Sequence, residues 1–302
     1  MNIKGVYISC YKYDIDFAKI CIGSIRYWYP EIPIFLIKDT GQGEFNTKPL
    51  EKTWDVRVFP TSRKRFGWGF GKWEPLFIEG EGSFLVLDAD TVLAGPVIDI
   101  AEKTDADFLV DEEVQPYARL NEIYYKVERL GEVDERFVYP GYTFNEGQWF
   151  GTHGLLKRSD FDPILDWSEE PQKPKFPEII LQGAQGHLNF TLQLKEQLGE
   201  ISMARKRIMV WPENGNADFI SLSSISRKNG EHPYIIHWAG FGFRNYADLP
   251  RHDIIRFYRD VYYSRFDTLT RYQDEAMRRY RVAEKSFKKK LRGLKAAIKS
   301  RI

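Results

Sequence analysis

FLVLDADTVLAGPV, residues 84–97, carries four apolar residues straight into Asp88-Ala89-Asp90 and then into a Gly-Pro turn. A short apolar run bounded by turn residues is a buried strand, here predicted over Ser83–Leu87. Carboxylates at the carboxyl end of a parallel strand stand at the crevice where open α/β sheets bind ligands. Two of them, one small residue apart, repel each other unless a cation lies between them. Together they can hold one hard divalent ion and leave coordination positions open. A plain acidic turn would give the same three residues, since Asp is common in turns.

Outward from this strand, β and α signals alternate. Ile3–Ser9, Ile32–Ile37 and Trp54–Phe59 read as strands, and Phe17–Trp28 as a helix stopped by Pro30. The polar stretch TSRKRFGWGFG leads into a short helix predicted over Lys72–Glu79. Further on, Asp107–Val110, Arg207–Trp211 and Pro233–His237 read as strands, Leu155–Trp167 and Gly186–Leu198 as helices, and the chain is helical after Leu249. The alternation predicts an α/β fold with a mostly parallel central sheet flanked by helices. One domain over residues 1–270 is expected, followed by a basic helical extension over 271–302.

Two further segments carry chemistry. In PYIIHWAG, His237 closes an apolar run just before Ala239-Gly240, where backbone can approach a ligand closely. A lone histidine beside an apolar strand also serves as a structural residue; as a ligand beside carboxylates, imidazole suits Mn²⁺ better than Mg²⁺. In FGKWEP, Lys72 opens a helix, where it could meet a phosphate or simply be solvated.

Taken together, these segments resemble the glycosyltransferases of the glycogenin and bacterial lipopolysaccharide galactosyltransferase type. That family has an apolar strand ending in a DxD motif, a basic residue upstream, and a late His-x-x-Gly. The matching residues are Asp88 and Asp90, Lys72, and His237 with Gly240. FNEGQWFG resembles the family's Asn-x-Gly segment through Asn145 and Gly147, and FLVDEE its strand ending on Asp111. GAQGHLNF keeps Gln185 and Leu188-Asn189 of an Asp-Gln-Asp-x-Leu-Asn stretch, with Ala184 and Gly186 in place of both acids. The lysine that follows the His-x-x-Gly in the family is absent, with Phe243 near its place and Arg244 next to it. The resemblance implies a GT-A fold and transfer of a sugar from a nucleotide-sugar donor, a UDP-sugar first, to a glycan or lipid-linked acceptor such as lipopolysaccharide or capsule assembly uses. It implies Mn²⁺ (or Mg²⁺) on Asp88, Asp90 and His237. Tyr11, Tyr13, Lys72, Asp88, Ala89, Gly240 and Arg244 would contact the donor. Asp111, Asn145 and Gln185 would face the sugar and acceptor, with Asp111 the base if the enzyme inverts. The family retains configuration, and Gln185 favours the same outcome here.

Other readings compete. LDADTVL also fits a haloacid-dehalogenase-type phosphatase with Asp88 as nucleophile, although that motif normally lies near a chain start and 87 residues precede it here. A sugar nucleotidyltransferase would need a glycine-rich basic loop after the first strand, which YISCYKYD lacks. The two missing acids also admit an inactive nucleotide-sugar-binding protein.

Composition sets the outer bounds. The chain has 302 residues, 43% hydrophobic and 29% charged, as in a globular protein. Cys10 and Cys21 lie in apolar contexts and read as two buried thiols. With no secretory signal and no apolar run of membrane-spanning length, a cytoplasmic protein is expected, peripheral on the cytoplasmic face of the inner membrane. The net charge of +1 hides a division. From Met277 to Ile302 there are eleven Lys or Arg and one acid, which leaves 33 basic against 42 acidic residues elsewhere. Tyr280, Phe287, Leu291, Leu294, Ile298 and Ile302 line one face of a helix amid those basic residues. Such a helix either lies on an anionic membrane surface or packs on the acidic body of its own or a neighbouring chain. Nucleic acid is not expected, because the tail has few aromatics for stacking on bases.

Overall fold

The computed structural model describes residues 1–299 except 62, 68, 114, 182 and 242–245, with side chains described as far as Leu291. The strands are β1 (Ile3–Tyr11), β2 (Ile34–Asp39), β3 (Val56–Val58), β4 (Ser83–Asp88), β5 (Thr91–Leu93), β6 (Phe108–Asp111), β7 (Gln148–Thr152), β8 (Leu165–Asp166), β9 (Lys173–Pro174), β10 (Met203–Lys206), β11 (Met209–Val210) and β12 (Ile235–His237). The helices are α1 (Ile15–Trp28), α2 (Lys48–Trp54), α3 (Ile98–Glu102), α4 (Tyr117–Ile123), α5 (Ala184–Gln197), α6 (Leu222–Ser226), α7 (His252–Tyr263) and α8 (Thr268–Lys299).

Seven strands form the central sheet in the order β10-β6-β7-β4-β1-β2-β3. β1 lies parallel between β2 and β4, and β3 continues parallel to β2. β7 alone runs against its neighbours β4 and β6, and β10 pairs parallel with β6. Side chains alternate across the strands, so both faces are apolar. Phe84 and Val86 of β4 join a core with Tyr7, Phe108, Trp149, Trp73 and Leu188. Leu85 and Leu87 join the opposite core with Val6, Ile8 and Ile22 of α1. This is the mostly parallel, helix-flanked sheet the sequence predicts.

A second sheet, β11-β12-β5, explains how two distant segments meet. β5 starts one residue after Asp90 and pairs antiparallel with β12, with His237 opposite Thr91. The ladder therefore brings His237 to the DxD turn.

Some expectations fail locally. Leu155–Trp167 is not a helix. It makes a single 3₁₀ turn, Arg158–Phe161, closed by the Asp160 carboxylate accepting from the Lys157 amide at 2.6 Å, and then enters β8. Pro163 has no N–H to continue a helix. Its helix-like spacing is that of buried Leu156, Phe161, Ile164 and Leu165 in an irregular segment. Phe70–Phe77, around Lys72, is likewise 3₁₀ rather than α. The cysteines are buried free thiols. No helix among the described residues is long and apolar enough to cross a membrane.

Candidate active site

The carboxyl ends of β1, β2 and β4 open on a cavity of about 1180 Å³. Asp88 closes β4: its amide donates to the Gly147 carbonyl at 2.7 Å, and its carbonyl accepts from the Thr91 hydroxyl at 2.7 Å. The backbone is thus fixed on both sides of the DxD turn. One ligand atom from each of Asp88, Asp90 and His237 lies within 4.8 Å of the others. His237 Nε2 stands 3.2 Å from Asp90 Oδ1 and 3.8 Å from Asp88 Oδ2. The ring is buried and stacked on Trp211 at 5.1 Å.

These residues fit a divalent cation. Neither ring nitrogen of His237 has a hydrogen-bond partner among the described residues, although a buried polar atom ordinarily finds one. Burial alone would raise the Asp90 carboxyl; His237 beside it outweighs this and holds it below the usual range. Gly147 makes the approach feasible: a Cβ there would lie 2.3 Å from His237 Cε1 and 2.8 Å from Asp88 Oδ2. Two carboxylates and one imidazole suit Mn²⁺.

Lys72 is no solvated lysine. It is 4% exposed and held between Asp88 at 3.0 Å and Glu146 at 3.1 Å. Glu146 is buried, and burial pushes its carboxyl up to about 7 against the pull of Lys72. Sequence reasoning passed over Glu146, although it stands between Asn145 and Gly147. Asp14 and Asp39 on the cavity wall were missed too.

Asn145 donates to the Gln185 carboxamide oxygen at 3.1 Å, and both line the cavity. Tyr11, Tyr13, Ala89 and Gly240 line it as well. Gly240 has φ +80°, a left-handed backbone suited to glycine. Asp111 stands apart and is not on the cavity wall. Its Oδ1 accepts from the Ile208 and Met209 amides, each at 2.9 Å, and burial pushes its carboxyl up to about 6. Arg244 lies outside the described residues.

The sequence matches no protein-family model and none of the curated proteins. Solved structures do match. The bifunctional glycosyltransferase WbbM superposes with a TM-score of 0.56 at 14% identity, over 85% of this chain and 50% of that one. The fold is that of GT-A glycosyltransferases. GlyE of Streptococcus pneumoniae TIGR4 gives 0.51 at 14% identity, over 85% of this chain and 60% of that one. The galactosyltransferase LgtC, solved with donor and acceptor sugar analogues, gives 0.51 at 12% identity, over 87% of this chain and 97% of that one. This chain therefore spans half to three-fifths of WbbM and GlyE but nearly all of LgtC. At these identities the likeness establishes the GT-A fold and nothing finer.

Proposed function

We propose that the protein is a metal-dependent glycosyltransferase that moves a sugar from a nucleotide-sugar donor, a UDP-sugar first, to a glycan or lipid-linked acceptor. The observation that carries this is the Asp88–Asp90–His237 cluster on the wall of the cavity, on a GT-A fold. Glycosyl transfer breaks the bond between an anomeric carbon and a diphosphate, so negative charge builds on the leaving group. A divalent ion on Asp88, Asp90 and His237 would supply Lewis-acid stabilisation of that charge.

The chain's own residues do the rest. Lys72, itself held by Glu146, fixes the Asp88 carboxylate, so that ligand is preorganised rather than recruited. Tyr11 and Tyr13 line the cavity after β1, on the side where the base would lie. Gln185, anchored by Asn145, presents a carboxamide to the sugar. Retention of configuration is the outcome we favour, because it needs no carboxylate base: the leaving phosphate takes the acceptor proton. Asp111, bonded to backbone away from the cavity, is unsuited to be that base. We assign residues 1–270 to the catalytic body and 271–302 to a tail that meets an anionic membrane carrying the acceptor.

A thermal-shift screen of nucleotide sugars with and without Mn²⁺ tests this, because a ligand that binds the native state raises Tm. One donor should stabilise the protein only with the metal present. Asp90→Ala should lose both that shift and donor hydrolysis while its own Tm stays close to wild type. Undiminished hydrolysis by Asp90→Ala would end the metal reading. Stabilisation by a donor without turnover on any acceptor would indicate a binding protein.

A further inference from the structure

Helix α8 does not trail away from the body. Arg281 pairs with Asp16 at 2.6 Å and Asp274 with Lys19 at 2.8 Å, and both body residues are buried on α1. Glu284 pairs with Lys12 at 2.8 Å. These contacts lay the helix along the rim of the cavity. Lys285 then donates to the Tyr11 hydroxyl and Lys288 to the Tyr13 hydroxyl, each at 3.0 Å. Lys285, Lys288 and Lys289 line the same cavity as Asp88 and Asp90.

Charge decides what this arrangement can bind. The cavity wall carries five carboxylates: Asp14, Asp39, Asp88, Asp90 and Glu146. Among the described residues the body answers with two cations, Arg65 and Lys72, and Lys72 is already held by Asp88 and Glu146. Such a wall is acidic and disfavours a diphosphate. The three lysines of α8 add positive charge to the same wall, although Glu284 also holds Lys288. The sequence departure points the same way. The resemblance expects a lysine after His237-x-x-Gly240, where Phe243 and then Arg244 stand instead.

We infer that Lys285, supported by Lys288, is a diphosphate-binding residue of the donor site, delivered by the C-terminal helix. This rests on the nucleotide-sugar reading above. The cation stands over the rings of Tyr11 and Tyr13, at 5.4 and 5.6 Å from their centroids. It therefore stands against the aromatics that follow β1, on the wall of the same cavity as the acidic turn. The tail is then part of the donor site and not an appendage to it.

The test uses the full chain with Mn²⁺ and inorganic pyrophosphate, followed by calorimetry, since pyrophosphate is common to any such donor. Lys285→Glu should weaken binding about tenfold or more, the scale of one lost charge-assisted contact. Lys285→Gln keeps a donor for the Tyr11 hydroxyl and removes the charge, so it should weaken binding in the same sense. Lys285→Arg should restore most of the affinity. Lys52→Glu, an exposed charge reversal on α2, should leave it unchanged. Wild-type affinity in both Lys285→Glu and Lys285→Gln would overturn the assignment and leave the glycosyltransferase reading intact. Tighter binding in them would also overturn it, and would mean that the helix obstructs the site. No binding of pyrophosphate, or of any nucleotide diphosphate, by the wild type would remove both readings together.

Discussion

Asp111 separates a motif match from a function. It closes β6 where the family resemblance places a sugar-facing acid, yet its carboxylate holds the chain where β10 gives way to β11. Its carboxyl, ordinarily near 3.8, is pushed up to about 6 by burial. A carboxyl that binds its proton more tightly folded than unfolded costs stability when ionised. The cost is full above about pH 6 and fades as pH falls towards 4. Asp111→Asn keeps the oxygen that accepts from both amides and removes the charge. It should therefore raise stability at pH 8 by about 1–3 kcal/mol, read as a higher Tm, with the gain vanishing near pH 4. Turnover should persist. Loss of turnover with no change in Tm would restore Asp111 as a base. The meeting of Asp88, Asp90 and His237, by contrast, was legible, because strand ends announce themselves in sequence. Lys72 was legible as a position but not as a buried ion pair. Its partner Glu146 lies 74 residues further along the chain, and nothing in the spacing reveals that β7 lies beside β4.

At the scale of elements, periodicity found most segments that bury an apolar face, misread Leu155–Trp167, and could not show what pairing decides. β1, β2, β4, α1, α5 and β12 were legible because each buries an apolar face of its own. β7 was read only as a motif segment, since its antiparallel insertion is fixed by its neighbours. Gly23 shows the same limit in a helix that was otherwise clear. Glycine inside a helix is less favourable than alanine by about 1 kcal/mol, so its presence in α1 needs a reason. A Cβ at Gly23 would lie 2.6 Å from the Tyr258 carbonyl oxygen of α7, a backbone atom that cannot rotate away. Gly23→Ala should therefore lower Tm. Overpacking of about 1–3 kcal/mol matches the propensity gain at the lower end and exceeds it elsewhere in that range. A higher Tm in that variant would mean that α1 and α7 separate freely.

At the scale of the whole molecule, the acidic body and the basic tail meet, but α8 uses only one side of itself to do so. Arg278, Arg281, Lys285 and Lys288 are engaged with the body or with their own helix. Leu269, Tyr280, Phe287 and Leu291 remain exposed, Phe287 at 63%. At 3.6 residues per turn they fall on one narrow stripe, about 33 Å long. An apolar stripe flanked by lysines is what an interfacial helix presents to lipid. A helix can thus complete the donor cavity on one side and rest on a membrane with the other, which would bring a lipid-linked acceptor to the same rim. Removing the tail would confound the two roles, because Lys285 goes with it. Phe287→Glu with Leu291→Glu separates them: neither residue lines the cavity. The unaltered protein should float with anionic vesicles, less with neutral ones, and less as salt rises, since each basic residue near such a surface contributes about 1 kcal/mol before screening. The double variant should stay in the soluble fraction while binding Mn²⁺-pyrophosphate like the wild type. Equal flotation of the two would reject the membrane role of this stripe, and would leave α8 as a helix that serves the donor site alone.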